Sequence, residues 1–149
     1  MLQQKRSRQV SSSALRFRQT YGNGDTMFTH INIRIIPHGC MRDASQYGDY
    51  WTDPDGSLQI RVSQYADPRD ARDVAIHELL EAWRCAERGV SFTEIDQFDL
   101  DHTDHPDPGL LTAAPYHREH IQSMGVEYLI AQQDGRDFSE VYSHTPIGV

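Results

Sequence analysis

Long apolar runs are missing from this chain. No stretch of its 149 residues approaches the roughly 18 consecutive apolar side chains that a membrane span needs. The N-terminus has no compact apolar block of the kind a secretory signal carries. Cysteine is scarce: only Cys40 and Cys85 are present, and neither a CxxC nor a CxxH string occurs. Two thiols cannot build a disulfide framework, so both are read as reduced, in a cytoplasmic setting. Acidic residues are absent from the first 20 positions, which hold Lys5, Arg6, Arg8, Arg16 and Arg18. The other 129 residues carry 9 basic and 22 acidic side chains. Phosphate repels such an acidic body, which excludes nucleic acid as the main partner. No internal repeat is found, and no low-complexity tract beyond the leader.

What is present fits one domain. Hydrophobic residues make up 38% and charged residues 24%, within the range of globular chains that bury a core. The basic leader, with Ser11, Ser12 and Ser13, reads as a disordered arm. A targeting peptide shares that composition, and Met27 is an alternative start. Residues 1–26 are therefore set apart as leader and 27–149 taken as a single domain.

In residues 29–36, THINIRII, Ile31, Ile33 and Ile35 alternate with Asn32 and Arg34. That period of two predicts a strand buried on its isoleucine face. Asp53-Pro54-Asp55-Gly56 is turn chemistry and predicts a hairpin with arms near 48–52 and 57–63. Asp67 and Pro68 suit the cap and first position of a helix that Gly89 ends. Residues 90–110 read as an acidic loop, Pro115 opens a second helix to about Gln133, and the tail reads as extended. The order predicts an α+β fold: a small, mostly antiparallel sheet with two helices packed on one face.

Residues 77–81 of the first helix read HELLE. His77 and Glu81 are i, i+4 neighbours, so both side chains reach one point. Glu78 lies one step round and reaches a water bound there. Zinc hydrolysis needs this layout: two ligands from successive turns, and a carboxylate as general base toward the water on the metal. With His77 at 0°, Ile76, Leu79, Leu80, Ala82 and Trp83 fall between about 140° and 300°, which predicts the core face. Asp70, Asp73, Arg84 and Arg88 lie within about 40° of His77, which is also what a solvated face shows.

A zinc site needs a third protein ligand. In residues 115–131, PYHREHIQSMGVEYLIA, the side chains of His117, His120, Met124, Glu127 and Tyr128 share one face. Titratable groups on an inward stripe need a partner, and a metal supplies one. His120 is the first candidate and His117 the second; Glu127 is either a ligand or a group that orients one. Asp99 or His102, in the acidic stretch EIDQFDLDHTDHPD, are further candidates for the third ligand. The spacing of that stretch does not match a calcium loop. Tyr116 is a candidate donor to a developing oxyanion, and Cys85 a packed thiol. Two histidines and a carboxylate suit Zn2+, with Mn2+ or Fe2+ also compatible.

The order of strand, hairpin with an edge strand, HExx(H/E) helix and second helix with the third ligand resembles the zincin-like metallopeptidase fold over roughly residues 29–133. The chain is also similar to small phage-type proteins in its HEL-x-EA-x-x-C stretch, His77 to Cys85, and its APYH segment, Ala114 to His117. The resemblance implies His77 and Glu81 as metal ligands and Glu78 as general base. It implies Leu58–Ser63 as the edge strand that binds an extended peptide or protein substrate by strand addition. Glu81 stands where that family has histidine, and its charge makes the metal a weaker Lewis acid. Two functions follow as expectations. One is a metal-dependent hydrolase, a minimal zinc metallopeptidase. The other is a non-catalytic phage accessory or structural protein of the same fold, with a structural metal or none.

Overall fold

A computed structural model describes residues 28–149, together with the backbone of 20–21 and 25–26. Within the expected leader, Thr20–Tyr21 (β1) and Asp25–Thr26 (β2) form a short antiparallel pair. The expectation of a disordered arm otherwise lies outside the described residues.

The hairpin forms where the turn residues place it. Gly48–Thr52 (β4) and Leu58–Ser63 (β5) pair antiparallel, with Thr52 opposite Leu58. The turn closes through Gly56 N–H to the Asp53 carbonyl at 2.8 Å, and Gly56 adopts a φ of 82° that favours glycine. Ile31–Ile36 (β3) joins the other side of β5 in parallel, so the sheet is mixed with order β3-β5-β4. This corrects one expectation: Leu58–Ser63 is the central strand, and the sheet edges are β3 and β4.

Helix α1, Pro68–Arg88, keeps the bounds its local signals set. The Asp67 side chain accepts from the Arg69 N–H at 2.9 Å, and Gly89 closes the helix with φ 74°. Helix α3, His117–Gln133, packs on α1, and α1 in turn covers β5 and β4. The α+β class therefore holds, with α1 between the sheet and α3. The core gathers Tyr50, Leu58, Ile60, Val62, Ala82, Cys85 and Tyr116.

Three further expectations change. The acidic stretch is not all loop: Phe92–Asp101 forms α2, seated by buried Ile95 with Phe92 and Phe98 beside it, and Pro108–Leu110 is a 3-10 turn. The tail contains a short helix, α4, Phe138–Tyr142, capped by Asp137. The isoleucine face of β3 is not buried: Ile31, Ile33 and Ile35 are 37%, 43% and 54% exposed. They stand beside Leu58, Ile60 and Val62, but α1 packs over β5 and β4 and β3 lies at the rim. Among the described residues, no helix is long and apolar enough to cross a membrane.

Candidate metal centre

The face of α1 that carries His77 and Glu81 is turned inward. Asp70, Asp73, His77, Glu81 and Cys85 are all buried, whereas Ile76, Leu79, Leu80 and Trp83 are only partly so. Over Asp70 to Glu81 the expected ligand face is the more buried one, while on the expected core face Ala82 is buried and the larger side chains are only partly so. Charged groups withstand burial only when paired, and the partners come from α3 and the residues after it. Arg136 reaches both Asp70 (2.9 Å) and Asp73. Arg88 holds buried Glu119 on α3 at 2.7 Å.

At the middle of this face three donor atoms converge. His77 Nε2 lies 3.1 Å from Glu81 Oε2 and 3.1 Å from His120 Nδ1, and His120 Nδ1 lies 2.9 Å from Glu81 Oε2. Glu81 Oε2 can accept from both rings, but when it does the two N–H groups face each other at 3.1 Å as donors with no acceptor between them. A cation facing all three atoms satisfies them together. Zinc bonds of about 2.0–2.1 Å set tetrahedral edges of about 3.3–3.4 Å, a few tenths of an ångström longer than these. Two imidazoles and a carboxylate are ligand chemistry suited to zinc, manganese or iron(II). His77, Glu81 and His120 thus form the group able to hold a metal among the described residues.

Each imidazole is anchored from behind. His77 Nδ1 donates to Glu127 Oε1, so Glu127 orients the His77 ring and lies outside the triangle. His120 Nε2 faces Asp107, both of whose oxygens lie 3.2 Å away. Carboxylates in this position fix the tautomer and raise the basicity of a ligating histidine. The Tyr50 hydroxyl donates to Glu81 Oε1 at 2.9 Å and fixes the third donor. Gly109 leaves room for the His120 ring, since a Cβ there would come within 2.6 Å of His120 Cγ.

The other expected residues fall around the triangle. The His117 Nδ1–H donates to the Gly109 carbonyl at 2.9 Å, and His117 lies outside the group of three converging donors. Asp99 accepts from the Tyr116 hydroxyl at 2.6 Å, which ties both together on the cleft wall and places neither in the ligand group. His102 Nδ1 donates to the Phe98 carbonyl at 2.8 Å and is likewise outside it. The Cys85 thiol is pushed up to about 12 by burial, with Glu81 and Glu119 adding to the shift, so it is a packed thiol. Asp107, Tyr50 and Gly109 carry no motif of their own; only the fold brings them to the site.

The triangle opens onto a cleft of about 1100 Å3. Glu78 is half-buried in its wall beside Gly48. Burial and the neighbouring Glu81 charge push the Glu78 carboxyl up to about 8. For Glu81, burial pushes the same way, but the hydrogen bonds of His120 and His77 outweigh it and hold the carboxylate down. Burial opposes protonation of both histidines and is outweighed too: Glu127 and Glu81 raise His77, and Asp107 and Glu81 raise His120 to about 9. Among the described residues, Arg42 is the one arginine or lysine lining the cleft, and it is shared between Asp49 (2.8 Å) and Asp96 (3.2 Å). Asp43, Asp99 and Asp107 add to the acidic wall. No protein-family model, curated protein or solved structure matches the chain.

Proposed function

We propose that this chain is a metal-dependent hydrolase, a minimal zinc peptidase of zincin-like type. The observation that carries this reading is the buried His77–Glu81–His120 triangle opening onto a cleft that Glu78 lines. A zinc ion held there supplies a Lewis acid that polarises a peptide carbonyl and brings the pKa of water to about 7. The protein's own groups do the rest. Glu78 takes the proton of the attacking water on its carboxylate and passes it to the leaving amine. A cation in the triangle favours the ionised form of Glu78, which the metal-free site disfavours. Tyr50 draws charge from Glu81 through its hydrogen bond, offsetting part of the loss of Lewis acidity that a carboxylate ligand brings.

The substrate is an extended peptide. The strand offered to it is β4 rather than Leu58–Ser63, because β4 is a sheet edge and its Gly48, Asp49 and Tyr50 line the cleft. The acidic wall favours a peptide with basic side chains.

Glu78→Gln is the test. It is expected to lower peptide hydrolysis about 10²–10⁴-fold while zinc content and fold stay unchanged. Peptide turnover equal to that of the unaltered chain would sink the catalytic role. Zinc bound with no turnover in either protein would leave a non-catalytic module with a structural metal.

A further inference from the structure

We infer that helix α4 belongs to the metal centre: Tyr142 on α4 acts through Asp107 to set the orientation of His120. This rests on the reading of His77, Glu81 and His120 as metal ligands and adds a positioning residue that no motif announces.

The geometry is a chain of three side chains. The Tyr142 hydroxyl donates to Asp107 Oδ2. Asp107 in turn faces His120 Nε2, with both oxygens at 3.2 Å. His120 presents its other nitrogen, Nδ1, to Glu81 and His77. A neutral imidazole carries one proton. Asp107 keeps that proton on Nε2, which leaves the Nδ1 lone pair for a cation. Asp107 therefore has to stay in place. It sits in irregular backbone between α2 and the 3-10 turn, in a Pro106-Asp107-Pro108 run that lines the cleft. Besides His120, the Tyr142 hydroxyl is the side-chain donor that reaches the Asp107 carboxylate among the described residues.

The placement of Tyr142 is itself fixed. The ring is 44% exposed, so core packing does not account for it. Asp137 caps α4, accepting from Ser139 N–H at 2.9 Å. Phe138 meets Tyr128 of α3 edge-on, with ring centroids 5.8 Å apart. Past the helix, His144 bonds Asp70 at 2.7 Å and the Ile147 N–H reaches the Gln64 carbonyl at 2.8 Å. These contacts hold the segment at both ends and aim one hydroxyl at one carboxylate. Glu127, which anchors His77, stands on rigid α3, where no such support is needed.

The experiment is a zinc-affinity measurement by chelator competition on the full chain, with the visible spectrum of the cobalt-substituted protein as second readout. The proteins are the unaltered chain, Tyr142→Phe, Asp107→Asn, the double variant and His77→Ala. Asp107→Asn is expected to weaken zinc about 10- to 100-fold. Tyr142→Phe is expected to weaken it about fivefold, the worth of one hydrogen bond, with an altered cobalt spectrum and an unchanged metal-free melting temperature. Because the two act in series, the double variant should match Asp107→Asn alone. Zinc affinity of Tyr142→Phe equal to that of the unaltered chain overturns the inference, as do losses that multiply in the double variant. If Tyr142→Phe has no effect while His77→Ala abolishes zinc binding, the inference alone fails. If the unaltered chain binds no zinc, the inference and the proposed function fail together.

Discussion

Two faces of α1 run the length of one helix and meet opposite fates. Asp70, Asp73, His77 and Glu81 occupy one, and all four are buried. Ile76, Leu79, Leu80 and Trp83 occupy another, and each keeps part of its surface in solvent. Hydropathy orders the two faces the other way. Burial here follows the supply of partners: Arg136 for the two aspartates, Glu127 for His77, and Tyr50 and His120 for Glu81. A polar stripe on a helix is a solvated face only if nothing across from it can neutralise it. Substitutions on the two faces can break or sharpen this contrast.

The largest effect is expected at Asp73. It is 1% exposed and bonded to Arg136 and, at 2.8 Å, to Arg72. Asp73→Ala leaves the Arg136 guanidinium, itself largely buried, with one partner fewer, and the expected loss is about 3–5 kcal/mol in urea unfolding. A loss under about 1 kcal/mol would show that the polar face does not hold the helix to α3.

Zinc comes next. At a hundred times its dissociation constant, it should stabilise the chain by about 2.7 kcal/mol. The shift in melting temperature should vanish in His77→Ala/Glu81→Ala. His120 is raised to about 9, so at neutral pH zinc has to displace a proton, and its affinity should climb with pH up to about that value. A melting shift that persists in the double variant would place zinc elsewhere.

The contrast also explains what the sequence made legible. The bounds of α1 rest on Asp67, Pro68 and Gly89, which act within a turn of themselves. His77 and Glu81 are one helical turn apart, and His120 and Glu127 share a face, so the candidate group was readable from spacing. Helix α2 was hidden because Glu94, Asp96, Asp99 and Asp101 masked the Phe92, Ile95, Phe98 stripe. The central place of β5 depends on parallel pairing with β3, which no local signal encodes. Neither does any spacing relate Arg136 to Asp73, 63 residues away, or Tyr142 to Asp107, 35 away. Those pairs decide which face of α1 is buried and how His120 is held.

A smaller effect is expected at Glu78. Its carboxyl is pushed up from 4.5 to about 8 in the metal-free protein, by burial first and the Glu81 charge second. Between those values the folded chain holds a proton that the unfolded chain has released, so stability falls as pH rises through the window. Glu78→Gln removes the titration. The metal-free variant should match the unaltered chain below about pH 4.5 and exceed it above about pH 8. Melting curves of both proteins across that range decide it, and equal pH profiles would count against a Glu78 held protonated by its surroundings.

The smallest effect tests the apolar face directly. Leu80 keeps part of its side chain in water, so Leu80→Ala removes only part of the burial that makes such changes cost about 2–5 kcal/mol in a closed core. Alanine also fits a helix better than leucine by a few tenths of a kcal/mol, about the propensity difference between them. The expected loss is about 1 kcal/mol or less, well below that at Asp73 on the same helix. A loss above about 2 kcal/mol would mean that the leucine face holds α1 in place. The buried carboxylates and histidines would then be carried into the interior by that packing, instead of drawing the helix in through partners of their own.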